Sequence, residues 1–174
     1  MTSTAKDNVL RTERLTLRQL DMADAEFILE LLTDADFKRY IGDRGVTDLA
    51  SARRYINEGP RASYARFGFG LLRVGLAEDD RAIGICGLLQ RDTLPDPDIG
   101  FAFLPAWRRS GYALEAARAV LDWGQRERAM RRILAIVTPE NERSIRLLER
   151  LGLHHESETE ADASGKRLKI FALS

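Results

Sequence analysis

The residues best suited to chemistry form one run, Arg108-Arg109-Ser110-Gly111-Tyr112-Ala113. It lies between an apolar, strand-forming segment and an alanine-rich, helix-forming one. The first amides of a helix have no partners inside the helix, and the helix dipole leaves partial positive charge beside them. Such a terminus suits a phosphate group. Gly111 allows close backbone approach or a positive φ, Ala113 keeps the first turn uncrowded, and Arg108 and Arg109 add charge. An ordinary strand-to-helix turn carrying two solvated arginines explains the same residues equally well. The run is not a Walker loop, because no Gly-Lys-Ser/Thr follows, and the three-glycine dinucleotide fingerprint is missing.

The flanking elements must hold this turn. Ile99 to Leu104 reads as a strand ended by Pro105. The following helix groups Leu114, Ala117, Val120 and Leu121 on one face. Upstream, Leu15 to Leu20 alternates as a half-buried strand. Asp21 or Asp24 caps a helix through about Leu32, and Asp34 to Ile41 forms a short second helix. Thr47-Asp48 caps a third helix that Gly59-Pro60 should stop. Phe67 to Val74 and Ala82 to Leu89 read as a hairpin turning at Glu78-Asp79-Asp80. Arg91 to Pro97 reads as a loop, and Ile133 to Val137 as a buried strand. Thr138-Pro139 is expected to open a helix that Gly152 closes, with Lys166 to Leu173 as the terminal strand. These elements describe one mixed α/β domain over residues 9–174, after a polar tail at 1–8.

Taken with Asn141-Glu142-Arg143-Ser144 and Leu147-Leu148-Glu149-Arg150-Leu151-Gly152, the run Arg108-x-x-Gly111-x-Ala113 resembles the Arg/Gln-x-x-Gly-x-Gly/Ala signature of GNAT-superfamily acetyltransferases. The surroundings resemble the RimJ/RimL (ribosomal-protein N-acetyltransferase) branch, from about Leu15 to Leu173. The resemblance implies a mixed central sheet in which strands 99–104 and 133–137 splay apart to admit acetyl-CoA. It assigns backbone pairing with the pantetheine arm to Phe101, Ala102 and Phe103. The pyrophosphate falls to the amides of Arg109, Ser110, Gly111, Tyr112 and Ala113. Asn141 would reach the cofactor with its amide, although a helix-terminal Asn also bonds local backbone. Many relatives carry an acidic tyrosine where Leu148 stands; the RimL-like pattern places a serine at Ser144, able to hydrogen-bond a departing thiolate or simply to make room. Asp98 stands where RimL-like chains carry glutamate, as a base acting directly or through water, or as a solvated strand-end carboxylate.

The resemblance therefore implies an N-acetyltransferase moving acetyl to a primary amine, either a protein N-terminus or a small molecule, by direct attack within a ternary complex. It leaves room for a homodimer. Leu148 in place of tyrosine keeps a non-catalytic acyl-CoA sensor as a second reading, and an α/β interaction domain without cofactor as a third. The acceptor wall would come from residues 34–57, where Asp34, Asp36 and Asp43 oppose Lys38, Arg39, Arg44, Arg53 and Arg54.

Composition sets limits on partners and address. The 174 residues balance 27 Lys and Arg against 27 Asp and Glu, so no global field calls for nucleic acid or an anionic membrane. No apolar run approaches the roughly 18 residues of a membrane span, and the N-terminus lacks a signal-peptide core. Cys86 stands alone within an apolar strand, as a small buried side chain rather than a nucleophile, and a cytoplasmic address fits. The basic run Arg126, Arg128, Arg131 and Arg132 complements a helix C-terminus or meets a ribose phosphate. His154 and His155 have no companions at metal-ligand spacing, so no metal is expected.

Overall fold

The computed structural model describes residues 8–174. The loose tail expected at 1–8 lies outside them except at Asn8, which opens the first strand. Eight strands form one sheet in the order β1-β2-β3-β4-β5-β6-β8-β7. They are β1 (Asn8–Arg11), β2 (Leu15–Gln19), β3 (Leu71–Leu76), β4 (Ala82–Leu89), β5 (Asp98–Phe103), β6 (Ile133–Val137), β7 (His154–Glu158) and β8 (Lys169–Leu173). Helices α1 (Ala25–Leu32), α2 (Ala35–Tyr40), α3 (Leu49–Ile56) and α4 (Ala62–Phe67) separate β2 from β3, and α5 (Tyr112–Glu127) and α6 (Glu142–Arg150) flank β6. The two faces of the sheet carry separate cores. Helix α5 packs Ala116, Ala117, Val120 and Leu121 on one, and α1 and α3 pack Ile28, Leu31, Ala52 and Ile56 on the other.

Every strand pair among the described residues is antiparallel except β5 with β6. A parallel pair needs a crossover, and α5 supplies it. β4 and β5 match over six residue pairs, whereas β5 meets β6 at Asp98↔Leu134 alone. From that vertex the two strands diverge, as the family resemblance implied.

Several local expectations change in the folded chain. Gly59-Pro60 does not stop the third helix. The chain widens into a π turn over Asn57–Arg61, which absorbs a residue without an amide proton, and continues as α4. Phe67 therefore ends a helix instead of opening a strand, and Gly68, at φ 79°, caps it. Pro139 does not enter α6. Asn141 caps that helix by accepting from the Ser144 amide, while the buried Thr138 hydroxyl donates to the Tyr40 carbonyl and ties β6 to α2. The terminal strand begins at Lys169, later than expected, and pairs with β7, which contains both histidines. Asp21 and Asp24 both act in the cap, as the two halves of a capping box.

One buried charge cluster ties this helical layer to the sheet. Asp24, 6% exposed, receives two hydrogen bonds of 2.9 Å from the Arg18 guanidinium and one from the Asp21 amide. Arg73 lies within 3.5 Å and also holds Asp80. Burial acts to raise the Asp24 pKa, but the Arg18 hydrogen bonds and the Asp21 amide outweigh it, and the net shift is downward. A carboxyl depressed on folding adds stability above its unfolded pKa and loses it as pH falls through the lower folded value. Asp24→Asn leaves buried Arg18 without its carboxylate and Arg73 with Asp80 alone, and is expected to cost about 3–5 kcal/mol. Urea denaturation should show this loss at neutral pH, with a smaller difference from the parent in strong acid.

Candidate active site

The divergence of β5 from β6 opens a cleft of about 1640 Å³, more than an ordinary small-ligand pocket holds. In an antiparallel pair, alternate residues turn both backbone groups toward the partner. The Leu104 amide donates to the Ile83 carbonyl at 2.9 Å, so with the β4–β5 register Ala102 and Gly100 also face β4. Ile99, Phe101 and Phe103 face the other way. The Leu134 amide takes the Pro97 carbonyl at 2.8 Å at the vertex, and beyond it β6 is out of reach. Phe101 thus presents an unpaired N–H and C=O to the cleft, and Phe103 an N–H. Ala102, expected beside them, has its backbone groups engaged with β4 and lines the cleft only as a side chain.

The turn after β5 is open. Arg109, Ser110 and Gly111 are exposed, and Arg109 and Gly111 take φ of 67° and 82°. Two left-handed residues bracketing one other draw successive amides into a concave nest. Gly111 caps α5 with no side-chain acceptor on the first amides, so Tyr112, Ala113 and Leu114 keep theirs available. Arg109, Gly111, Ala113 and Leu114 line the cleft, continuous with the β5 edge. The Tyr112 ring lies apart from it, under the Arg14 guanidinium at 4.2 Å and edge-on to Trp107.

Arg108 has a different job from the one its charge suggests. Its guanidinium donates to Asp34 and Asp36 at 2.8 Å each, and its Nε to the Phe103 carbonyl at 3.0 Å. It therefore bolts the N-terminus of α2 to the end of β5, and its charge is neutralised by α2. Asp34 also caps α2 through the Phe37 amide, and the Arg108 guanidinium helps hold its carboxyl below the usual range against the effect of burial. Arg14 fixes the turn from the other side, donating to the Ser110 carbonyl and to Glu115. Sequence reasoning missed Arg14, Glu115 and the acidic partners of Arg108, since pairs 72 to 101 residues apart leave no local pattern.

Across the cleft, α6 contributes Asn141, Ser144 and Leu148. The Asn141 Oδ1 accepts from the Ser144 amide at 3.3 Å, which leaves its NH2 and the Ser144 hydroxyl without hydrogen bonds among the described residues. Asp98 stands at the vertex, 1% exposed, with both oxygens near the Arg91 Nε at 3.0 and 3.2 Å. Burial raises its pKa, against the pull of Arg91. Arg91 was not expected there.

The remaining candidates lie outside the cleft. Cys86 is fully buried, and burial pushes its thiol far up, so it is inert. Arg126 pairs with Asp122, Arg128 caps the Phe67 carbonyl, and Arg132 bridges Asp96 and Glu156. Among the described residues no group of three His, Cys, Asp or Glu could hold a metal, and no helix is long and apolar enough to cross a membrane.

A splayed mixed sheet with a bare strand edge running into an uncapped helix N-terminus is the architecture of a CoA-dependent acyltransferase. An acetyltransferase (GNAT) domain model matches residues 14–154, and the chain belongs to that family. It is an acetyl-CoA-dependent N-acetyltransferase. N-acetyltransferase p20 of Bacillus licheniformis, itself uncharacterized, is 30% identical over 171 residues, covering 95% of this chain and 94% of its own. The acetyltransferase from Agrobacterium tumefaciens superposes with a TM-score of 0.80 at 29% identity, covering 95% and 93% of the two chains. RimL, a ribosomal L7/L12 α-N-protein acetyltransferase solved with coenzyme A, shares the fold at 14% identity and a TM-score of 0.79, covering 96% and 97%.

Arg108→Gln is expected to lower unfolding free energy by about 1–3 kcal/mol, because it leaves half-buried Asp34 without its charged partner. In a denaturation cycle with Asp34→Asn and Asp36→Asn, the losses should be markedly non-additive.

Proposed function

We propose that the protein transfers acetyl from acetyl-CoA directly to a primary amine, with the bare edge of β5 and the first turn of α5 as the cofactor cradle. The supporting observation is the continuity of unpaired amides from Phe101 and Phe103 to the nest at Arg109–Ala113 along one cleft wall. The Phe101 backbone pairs with the amide-bearing pantetheine arm as an added strand would. The amides of Arg109, Ser110, Gly111, Tyr112 and Ala113 receive the pyrophosphate, and the Asn141 NH2 steadies the arm from α6. Arg108 contributes its backbone and, through Asp34 and Asp36, the position of the turn.

In the reaction, Asp98 takes the proton of the attacking ammonium, directly or through a water. The nitrogen forms its bond to the thioester carbon, and a β5 amide holds the oxygen as negative charge builds on it. The carbon–sulfur bond then breaks, the Ser144 hydroxyl hydrogen-bonds the departing thiolate, and the thiolate takes the second proton from the adduct nitrogen, leaving the amide and the free CoA thiol. Orientation within the cleft and these preset dipoles supply most of the acceleration. Ser144 takes the place that Leu148, with no proton to give, cannot fill.

Three variants test the assignment. Gly111→Val must hold a β-branched side chain at positive φ, and only the tip of Arg14 lies near its Cβ. It should stay cooperative in unfolding while CoA binding weakens by about tenfold, the equivalent of the 1–2 kcal/mol left-handed penalty. Unchanged affinity by calorimetry would remove the phosphate role. Ser144→Ala should cut kcat by about tenfold or more and leave CoA affinity alone; a parent-like rate would return Ser144 to packing. Because a base works only when ionised and Asp98 is shifted upward, kcat/KM should rise with pH through a limb above the ordinary carboxylate range. Asp98→Asn should abolish that limb.

A further inference from the structure

Beside the cofactor cradle, the same cleft is lined by Phe37 and Tyr40 of α2, Tyr55 of α3, Arg66 of α4 and Arg91 of the loop that follows β4, and these residues wall its acceptor chamber in the reading above. We propose that the acceptor bound there is a small amine carrying a carboxylate close to the nitrogen, an α-amino acid or a near analogue.

The inference rests on the transfer reading above and on what faces the chamber. Asp98 and Arg91 lie side by side, carboxylate to Nε, and both line the cleft. Among the described residues the Arg91 η nitrogens make no hydrogen bond, so the pair offers an acceptor and a cationic fork next to each other. A zwitterion presents the complementary pair, ammonium and carboxylate, at comparable spacing. The ammonium gives its proton through a water to Asp98, which is itself only 1% exposed behind Arg91, and the carboxylate meets Arg91 in the geometry that a guanidinium favours.

Two further groups strengthen the anionic subsite. Arg44 lines the cleft from the loop ahead of α3 and has no hydrogen bond or ion pair among the described residues. Tyr55 also lines it, with its hydroxyl within the electrostatic reach of both Arg44 and Arg91, and burial keeps that hydroxyl protonated as a donor.

The balance of charge disfavours other amines. On this side of the cleft Arg44 and Arg66 stand against Glu58, while Asp36 is already bonded to Arg108. A polyamine or aminoglycoside would bring extra ammonium groups toward these cations. A protein N-terminus would set a neutral amide where Arg91 can pair a carboxylate. A site arranged to pair a charged group rejects the analogue lacking it more strongly than it rejects a change in apolar bulk.

The experiment measures thiol release from acetyl-CoA with free amino acids of each side-chain class, the same amino acids as C-terminal amides, spermidine and a short peptide. At least one free amino acid should exceed its own amide, spermidine and the peptide by about ten- to hundredfold in kcat/KM, the scale of one charge-assisted contact. Arg44→Glu should narrow the acid-to-amide ratio by about tenfold while CoA affinity stays at the parent value. An amide equal to its acid, a preference for spermidine or the peptide, or an unchanged ratio in Arg44→Glu would each overturn the inference and leave acetyl transfer intact. If no amine turned over, the transfer reading itself would fail. Calorimetry on the CoA-bound protein would then decide the subsite: tighter binding of acid than amide supports it, and equal or absent binding overturns it.

Discussion

A single backbone contact, Asp98 against Leu134, sets the shape of this molecule. Had β5 and β6 stayed paired along their length, the sheet would have closed and its central amides would be satisfied. Instead the strands part after the vertex, and polar groups are left facing a cleft in the middle of a sheet. Unpaired buried backbone is costly. The divergence is tolerable because the gap is open to solvent. The site is therefore built mostly from main chain, and its geometry depends on whatever holds the two halves of the sheet and the turn beyond β5.

Charged side chains do much of that holding. Arg18, Arg73 and Asp24 lock the helical layer to β2 and β3, Arg108 joins α2 to the end of β5, and Arg14 with Glu115 braces the start of α5. Desolvation makes such pairs modest contributors to net stability, but breaking one leaves an unpaired charge behind. Their benefit here is geometric. The Arg108 bridge links the turn after β5 to α2, so displacement of one is felt by the other. The same reasoning applies at the vertex, where Arg91 keeps Asp98 oriented while burial weakens the carboxylate's hold on its charge less than it would without that partner.

Local pattern carried a good deal of the reading. The apolar runs of β4 and β6, the caps at Asp21 and Asp48, and the strand-turn-helix around Gly111 all follow from interactions within a few residues, whereas β2, whose alternation reads as half-buried, has its polar Thr16 and Arg18 buried as well. The readings that moved were those in which a local breaker met a tertiary demand. Pro60 is buried inside a widened turn because the helix face around it, with Ile56, belongs to the core. Thr138 looked like a cap, but its hydroxyl was claimed by a carbonyl 98 residues away.

Short-range properties such as signature spacing, periodicity and capping made the family and the order of most elements legible along the chain. The folded chain alone settles how those elements face one another. It turned Phe101 and Phe103 toward the cleft and Ala102 toward β4, since that choice depends on the β4 register. It drew Arg108 away to Asp34 and Asp36, and it put Arg91 beside Asp98 at the head of a chamber lined by Arg44 and Tyr55. Charge pairing and strand register act through space, between segments far apart along the chain, so no local window of residues contains them.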